Sequence, residues 1–329
     1  MARALSAAVM PLENRRDQFV LLATLADELG YDGVMFPETW SYDITVLLAE
    51  IAVKTRRVRL GTGILGVWNR SAATIAMAAA TLASQSNGRF ILGLGASTPQ
   101  LVEGLHDVPF EPPLPRMRRT VMQVRALLCG ERVPLAVTTT ARALRLNVPV
   151  TDVPIYLAAL GDASIRLAGE LADGWIPFLF PLRLLPHGIE QLREGARRSG
   201  RAELPIVCPS LPTVVHDDPL KAREGAAWFV SFYVTAMGTF YRDALVRWGF
   251  AKEIEAVVAA NTPKFAGLVP PDAEELLEQL IVFGTPAEAR RRLQRWYDAG
   301  GAMPALLLRA GLTPEETRRS LEAFAPMLR

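Results

Sequence analysis

Residues 30–104 read GYDGVMFPETWSYDITVLLAEIAVKTRRVRLGTGILGVWNRSAATIAMAAATLASQSNGRFILGLGASTPQLVEG, and this stretch decides the fold. Three apolar runs, Gly33–Phe36, Val58–Ile64 and Phe90–Gly95, read as buried strands. Helical patterns over 43–54 and 71–86 separate them. Each strand runs into a different polar or glycine-bearing loop: PETW, GILGVWNR and GAST. A helical crossover makes neighbouring strands parallel, so all three loops leave the sheet at the same end. Loops that converge there make a site.

Working outward, Ala4–Val9 is a first strand closed by Met10 and Pro11. The stripe Phe19, Leu22, Ala26, Leu29 predicts a helix over 15–29 that Gly30 stops. Downstream come helices over 99–105 and 117–128, separated by the proline-rich turn PFEPPLPR. Residues 136–151 read as loop or a weak hairpin. Ile155–Leu160 and Gly174–Phe180 are the fifth and sixth strands, followed by helices over 164–171 and 182–198. The seventh, Leu204–His216, contains Pro209 and Pro212, which interrupt it or mark its end. Residues 217–280 are mostly helical and longer than a crossover needs. A helix over 285–299, an eighth strand at Ala305–Arg309 and a last helix over 314–327 complete the chain. Eight strand-plus-helix units predict an α/β fold, a (β/α)8 TIM barrel, with a helical insertion after strand seven at about 217–280. The whole of 1–329 reads as one domain. A doubly wound sheet is the runner-up, disfavoured because no composition break divides the apolar strands.

With 329 residues, half of them hydrophobic, the chain can bury a sizeable core. Its 36 basic and 34 acidic side chains give a net charge of +2, which speaks against nucleic-acid or membrane partners. Cys129 and Cys208 have no metal-ligand spacing, and a cytoplasmic compartment is the simple reading. The N-terminal apolar run is too short for a signal peptide, and no segment has the apolar length of a membrane span.

Gly61-Thr-Gly63-Ile-Leu-Gly66 matches G-x-G-x-x-G after a strand. A dinucleotide fold also needs an acid roughly 20 residues on. No Asp or Glu occurs between Ile51 and Val102, so that reading fails. These glycines instead let the backbone bulge and approach a flat ligand, or only pack a barrel corner. Of the cations in the acid-free span, Arg70 alone follows a strand's C-terminal end, beside Trp68 and Asn69. It suits an anionic ligand, a ring to stack on, or an ordinary salt bridge. Glu38, flanked by Pro37 and Trp40, suits proton relay, hydrogen bonding to a polar ring edge, or an ion pair across the mouth. His216, at the end of strand seven, is the histidine best placed for acid–base work, and the three histidines form no metal site. Gly161-Asp162-Ala163 opens a helix whose N–H groups suit a phosphate, with capping by Asp162 as the equal alternative.

At these residues the chain resembles the bacterial luciferase-like flavin and deazaflavin oxidoreductases, most closely their actinobacterial F420-dependent branch. The resemblance rests on ELGYDGVMFPETWSYD, TRRVRLGTGILGVWNRS, NGRFILGLGAS, VPIYLAALGDASIRLAGELADGWIPFLFP and GTPAEARRRLQRWYDAGG together. It implies a barrel, usually a homodimer, that holds FMN or coenzyme F420 with the ring in the mouth. It implies a cis peptide at Gly63-Ile64, phosphate contacts at Gly161, Asp162 and Ala163, and further cofactor-lining positions at Ser97, Trp68 and Arg70. The activity it implies is an oxidoreductase or monooxygenase of secondary metabolism, acting on a hydrophobic small molecule. Two departures stand out: Ala72 replaces a common proline, and Arg119 stands where relatives carry a glutamate. Arginine cannot relay protons near neutrality, since its pKa exceeds about 12. Two other functions therefore stay open: cofactor-independent isomerisation or cyclisation of a natural-product intermediate, and a non-catalytic partner subunit. The aromatic residues Phe178, Phe180, Trp228, Phe232 and Tyr233 are candidates for an apolar rim or for plain helix core.

Overall fold

The computed structural model describes residues 3–138, 140–149 and 151–328. Its strands are β1 (Ser6–Val9), β2 (Gly33–Phe36), β3 (Arg59–Thr62), β4 (Leu65–Gly66), β5 (Phe90–Gly95), β6 (Ile155–Ala158), β7 (Gly174–Ile176), β8 (Ile206–Val207), β9 (Ser210–Val215), β10 (Val282–Gly284) and β11 (Ala305–Leu308). Every pairing between them is parallel. The order runs β1, β2, β3, β5, β6, β7, β8, and a Phe178–Ser210 bridge passes the seam to β9. β9 pairs with β11, and β11 pairs with β1, so the ring closes. Counting β3 with β4, and β8 with β9, as one position each leaves the eight staves of a (β/α)8 barrel.

The strands read as continuous apolar runs because both faces are covered, yet period two still divides them. Ala8, Met35, Ile91, Tyr156, Ile176 and Leu307 point into the lumen and share one apolar cluster. Their chain neighbours, among them Val9, Val34, Leu92, Leu157, Trp175 and Leu306, face outward against the helices. Large lumen residues sit beside glycine. A Cβ on Gly61 would lie 2.1 Å from the Met35 sulfur, and one on Gly174 would meet the Tyr156 ring at 2.5 Å. Glycine at both positions lets Met35 and Tyr156 fill the barrel floor.

The outer helices are α1 (Arg16–Leu29), α2 (Ile44–Lys54), α3 (Ala72–Gln85), α4 (Pro99–His106), α5 (Pro113–Leu128), α6 (Asp162–Leu171) and α7 (Leu185–Arg198). Four more, α8 (Pro219–Thr235), α9 (Phe240–Arg247), α10 (Ala251–Ala260) and α11 (Glu274–Leu280), lie between β9 and β10. α12 (Pro286–Asp298) and α13 (Pro314–Glu322) follow, each opened by a threonine capping box.

Several boundaries differ from the sequence reading. α5 begins at Pro113, inside the expected turn, because proline fits the first helical turn, where its missing N–H costs nothing. The seventh strand divides at Pro209, as one reading of its prolines allowed, while Pro212 sits inside β9. The sixth strand stops at Ile176 rather than Phe180. β10 was not expected at all. It lies outside the ring, paired to the C-terminal half of β9 through Val282–Thr213 and Gly284–Val215. Of residues 136–151, positions 139 and 150 lie outside the described residues, and the others form neither helix nor strand.

Candidate functional site

A cleft enclosing about 960 Å³, part of it open to solvent, sits over the C-terminal ends of the strands. Its floor is Ala8, Met35, Ile176 and Leu307, the lumen residues just described. Pro37, Glu38, Thr39 and Trp40 of the PETW loop form one wall, with Gly63 and Ile64 beside them. Ser97, Thr98 and Leu101 come from the GAST loop and α4. Phe178, Tyr233, Met237 and Tyr241 close the opposite side, three of them from α8, α9 and the turn between.

The Gly63–Ile64 peptide is cis. Gly63 donates its N–H to the Phe36 carbonyl at 2.7 Å, and Glu38 donates its own to the Ile64 carbonyl at 3.2 Å. This edge is therefore pinned to the strand beside it. The Ile64 side chain lies across Gly95, where an added Cβ would come within 2.8 Å of it. Ser97 has φ of +61°, a left-handed conformation uncommon for a residue with a side chain.

Glu38 and Arg70 meet each other. Arg70 donates from Nη2 to Glu38 Oε1 at 2.6 Å and lies 2.9 Å from Asp43 Oδ2. Their side chains are 8% exposed at Glu38 and 17% at Arg70. Burial alone would lower the Arg70 pKa, but the two carboxylates outweigh it and raise it. Asp43 also accepts from the Thr45 N–H at 3.0 Å and so caps α2. The guanidinium is thus committed to protein carboxylates and does not line the cleft.

The profile of the luciferase-like monooxygenase family matches residues 3–303. The chain belongs to that family. Among similar proteins, one from Mycobacterium tuberculosis, Rv3520c, named as a coenzyme F420-dependent oxidoreductase, is 32% identical, covering 86% of this chain and 88% of its own. An F420-dependent glucose-6-phosphate dehydrogenase from Nakamurella multipartita is 34% identical over 55% of this chain and 58% of its own. In solved structures, the coenzyme F420-dependent tetrahydromethanopterin reductase of Methanopyrus kandleri superposes with a TM-score of 0.81 at 20% identity. That match covers 100% of this chain and 99% of the reductase. The oxygenating constituent of 3,6-diketocamphane monooxygenase from Pseudomonas putida gives 0.74 at 19% identity, covering 100% and 98%.

In this luciferase-like chain the other sequence candidates are dispersed. Gly161, Asp162 and Ala163 open α6 on the same rim but outside the cleft lining. Asp162 does not cap the helix. It lies within the first turn, 3.1 Å from His187 Nε2. Trp68 is buried, with Phe110 5.8 Å away between ring centroids and the Arg116 guanidinium over its ring, and it is not among the residues that line the cleft. His216 lies outside the cleft as well: its Nδ1 accepts the Asp218 N–H at 2.9 Å where α8 begins, in a separate groove with Lys221 and Arg309. Arg119 is half-buried on α5 and does not line the cleft either. Of the aromatic candidates, Phe178 and Tyr233 line the cleft. Phe180 packs on Trp175 and Trp248, and Trp228 stacks on Phe232.

Sequence reasoning missed Met35, Cys208, Met237 and Tyr241 as lining residues. Met35 was detectable as the inward position of an alternating strand. Tyr241 was not, because it lies on α9, and only the way that helix is seated over the barrel brings it to the cleft. Burial pushes the Cys208 thiol up to about 12, which makes it an apolar wall rather than a nucleophile.

Proposed function

We propose that the chain is an F420- or FMN-dependent oxidoreductase that acts on an uncharged, largely apolar small molecule. The cleft carries this reading. It is walled mainly by carbon, and among the described residues no Lys, Arg or His lines it. Its one carboxylate, Glu38, is already paired with Arg70. Barrels of this kind gather their chemistry at the C-terminal rim, where the cleft lies. The names of the relatives support the cofactor class: those from Mycobacterium tuberculosis and Nakamurella are called F420-dependent, and the Pseudomonas neighbour is in complex with FMN.

The residues present suit such a group. Ser97 and Thr98 supply uncharged polar atoms in an apolar cleft. That donor set matches the edge of a conjugated ring. Gly63, Ile64 and Ser97 would hold the ring, and the cofactor, once bound, supplies the hydride or activates oxygen. Met35, Ile176 and Leu307 keep water from the floor. Titration of the purified protein with F420 and with FMN, followed by fluorescence and calorimetry, tests the reading. Micromolar binding of either is expected. Binding of neither would overturn it.

A further inference from the structure

The Tyr233 ring is held on four sides. It stacks on Phe229 at 5.5 Å and meets Phe178, Tyr241 and Phe232 edge to face at 5.0, 5.6 and 5.6 Å. Packing of that kind fixes the position of the hydroxyl. The residue is 2% exposed and lines the cleft, yet its hydroxyl has no hydrogen-bond partner among the described residues. A buried hydroxyl without a partner costs stability, and such groups call for an explanation. Replacing it by Phe would remove that cost without changing shape.

We propose that Tyr233 is a specificity-determining residue whose hydroxyl donates to a carbonyl oxygen on a neutral, ring-bearing substrate seated against Phe178 and Tyr241. The proposal rests on the reading of the cleft as the place where the reactants meet. A phenol has one proton to donate, and its natural complement here is an uncharged acceptor. An anionic head group would find no cation among the described lining residues and would face the Glu38 carboxylate. Burial also pushes the Tyr233 phenol well above its ordinary range, so it remains a donor at any working pH.

The test uses acetophenone and ethylbenzene, which share a ring and a chain length and differ in the carbonyl oxygen. Each is titrated calorimetrically into the full chain as purified, and again after saturation with whichever of F420 and FMN binds. A hydrogen bond made to an otherwise orphaned hydroxyl is expected to favour the ketone about tenfold. Tyr233→Phe should erase that preference, leave ethylbenzene affinity unchanged, and melt at or above the native temperature. A hydroxyl with a purely structural role would instead lower the melting temperature when removed. No preference for the ketone in either state of the native protein, or the same preference in Tyr233→Phe, overturns the proposal. Failure of F420 and FMN to bind would sink the cofactor reading alone, because the ketone comparison is read without them as well.

Discussion

At Arg70 a single guanidinium serves two carboxylates that come from separate parts of the PETW loop and the α2 cap. Glu38 is nearly enclosed, and a carboxylate removed from water needs a partner. Replacing Arg70 by Met leaves Glu38 and Asp43 facing one another without a cation. The expected loss is about 1–3 kcal/mol, between that for exposed and for fully buried pairs. Urea denaturation of Arg70→Met, Glu38→Gln and the double variant measures it, and strict additivity would mean that the pair contributes nothing. Both residues were recognisable in the sequence as polar groups at strand ends. Their mutual pairing was not, since nothing local says that positions 32 apart will meet. Trp68, a cofactor-lining position in the family resemblance, packs against Phe110, 42 residues on, and is not among the residues that line the cleft.

Among the elements, the entry into β3 depends on the end of α1. Asp27 accepts from the N–H groups of Arg57 and Val58 at 2.7 Å each and from Arg56 at 3.1 Å. Burial alone would raise its pKa, but these three donors outweigh it and hold the carboxyl below its ordinary value. The folded chain therefore binds fewer protons at this site than the unfolded chain does. The stabilisation is complete above the unfolded pKa of about 4 and is lost as the pH falls through the depressed folded value. Asp27→Ala should cost about 1–3 kcal/mol near neutrality. Its deficit against the native protein should shrink on acidification, and a deficit constant with pH in denaturation curves would contradict the assignment. Elements with strong periodicity, α1 and β5 among them, fell close to their expected limits. β10 did not, because three residues carry too little pattern. Its partner β9 lies some 70 positions upstream, and only that pairing makes it a strand.

For the molecule as a whole, the lumen residues and the helices between β9 and β10 share one apolar cluster. Met35, Tyr156 and Leu307 belong to it together with Phe229, Leu245, Phe250 and Leu276. Those helices are thus seated on the barrel's own core and carry one wall of its cleft. Phe250 is fully buried there, and Phe250→Ala should cost about 3–5 kcal/mol. Tryptophan fluorescence and far-UV circular dichroism should report coincident unfolding transitions in the native protein. A separate early loss of helix would show that the cap melts on its own. The sequence by itself determined the closed barrel and the end at which its loops gather, because apolar period and parallel connection are properties of short stretches. The family resemblance marked Gly63, Ile64 and Ser97, and the end of a strand marked Glu38; all four line the cleft. Only the tertiary structure decided that Arg70 is spent on Glu38 and Asp43, that His216 lies outside the cleft, and that Tyr233 and Tyr241 close it. Those outcomes depend on which side chains meet across long loops, and that is set by packing the whole chain at once rather than by any local preference.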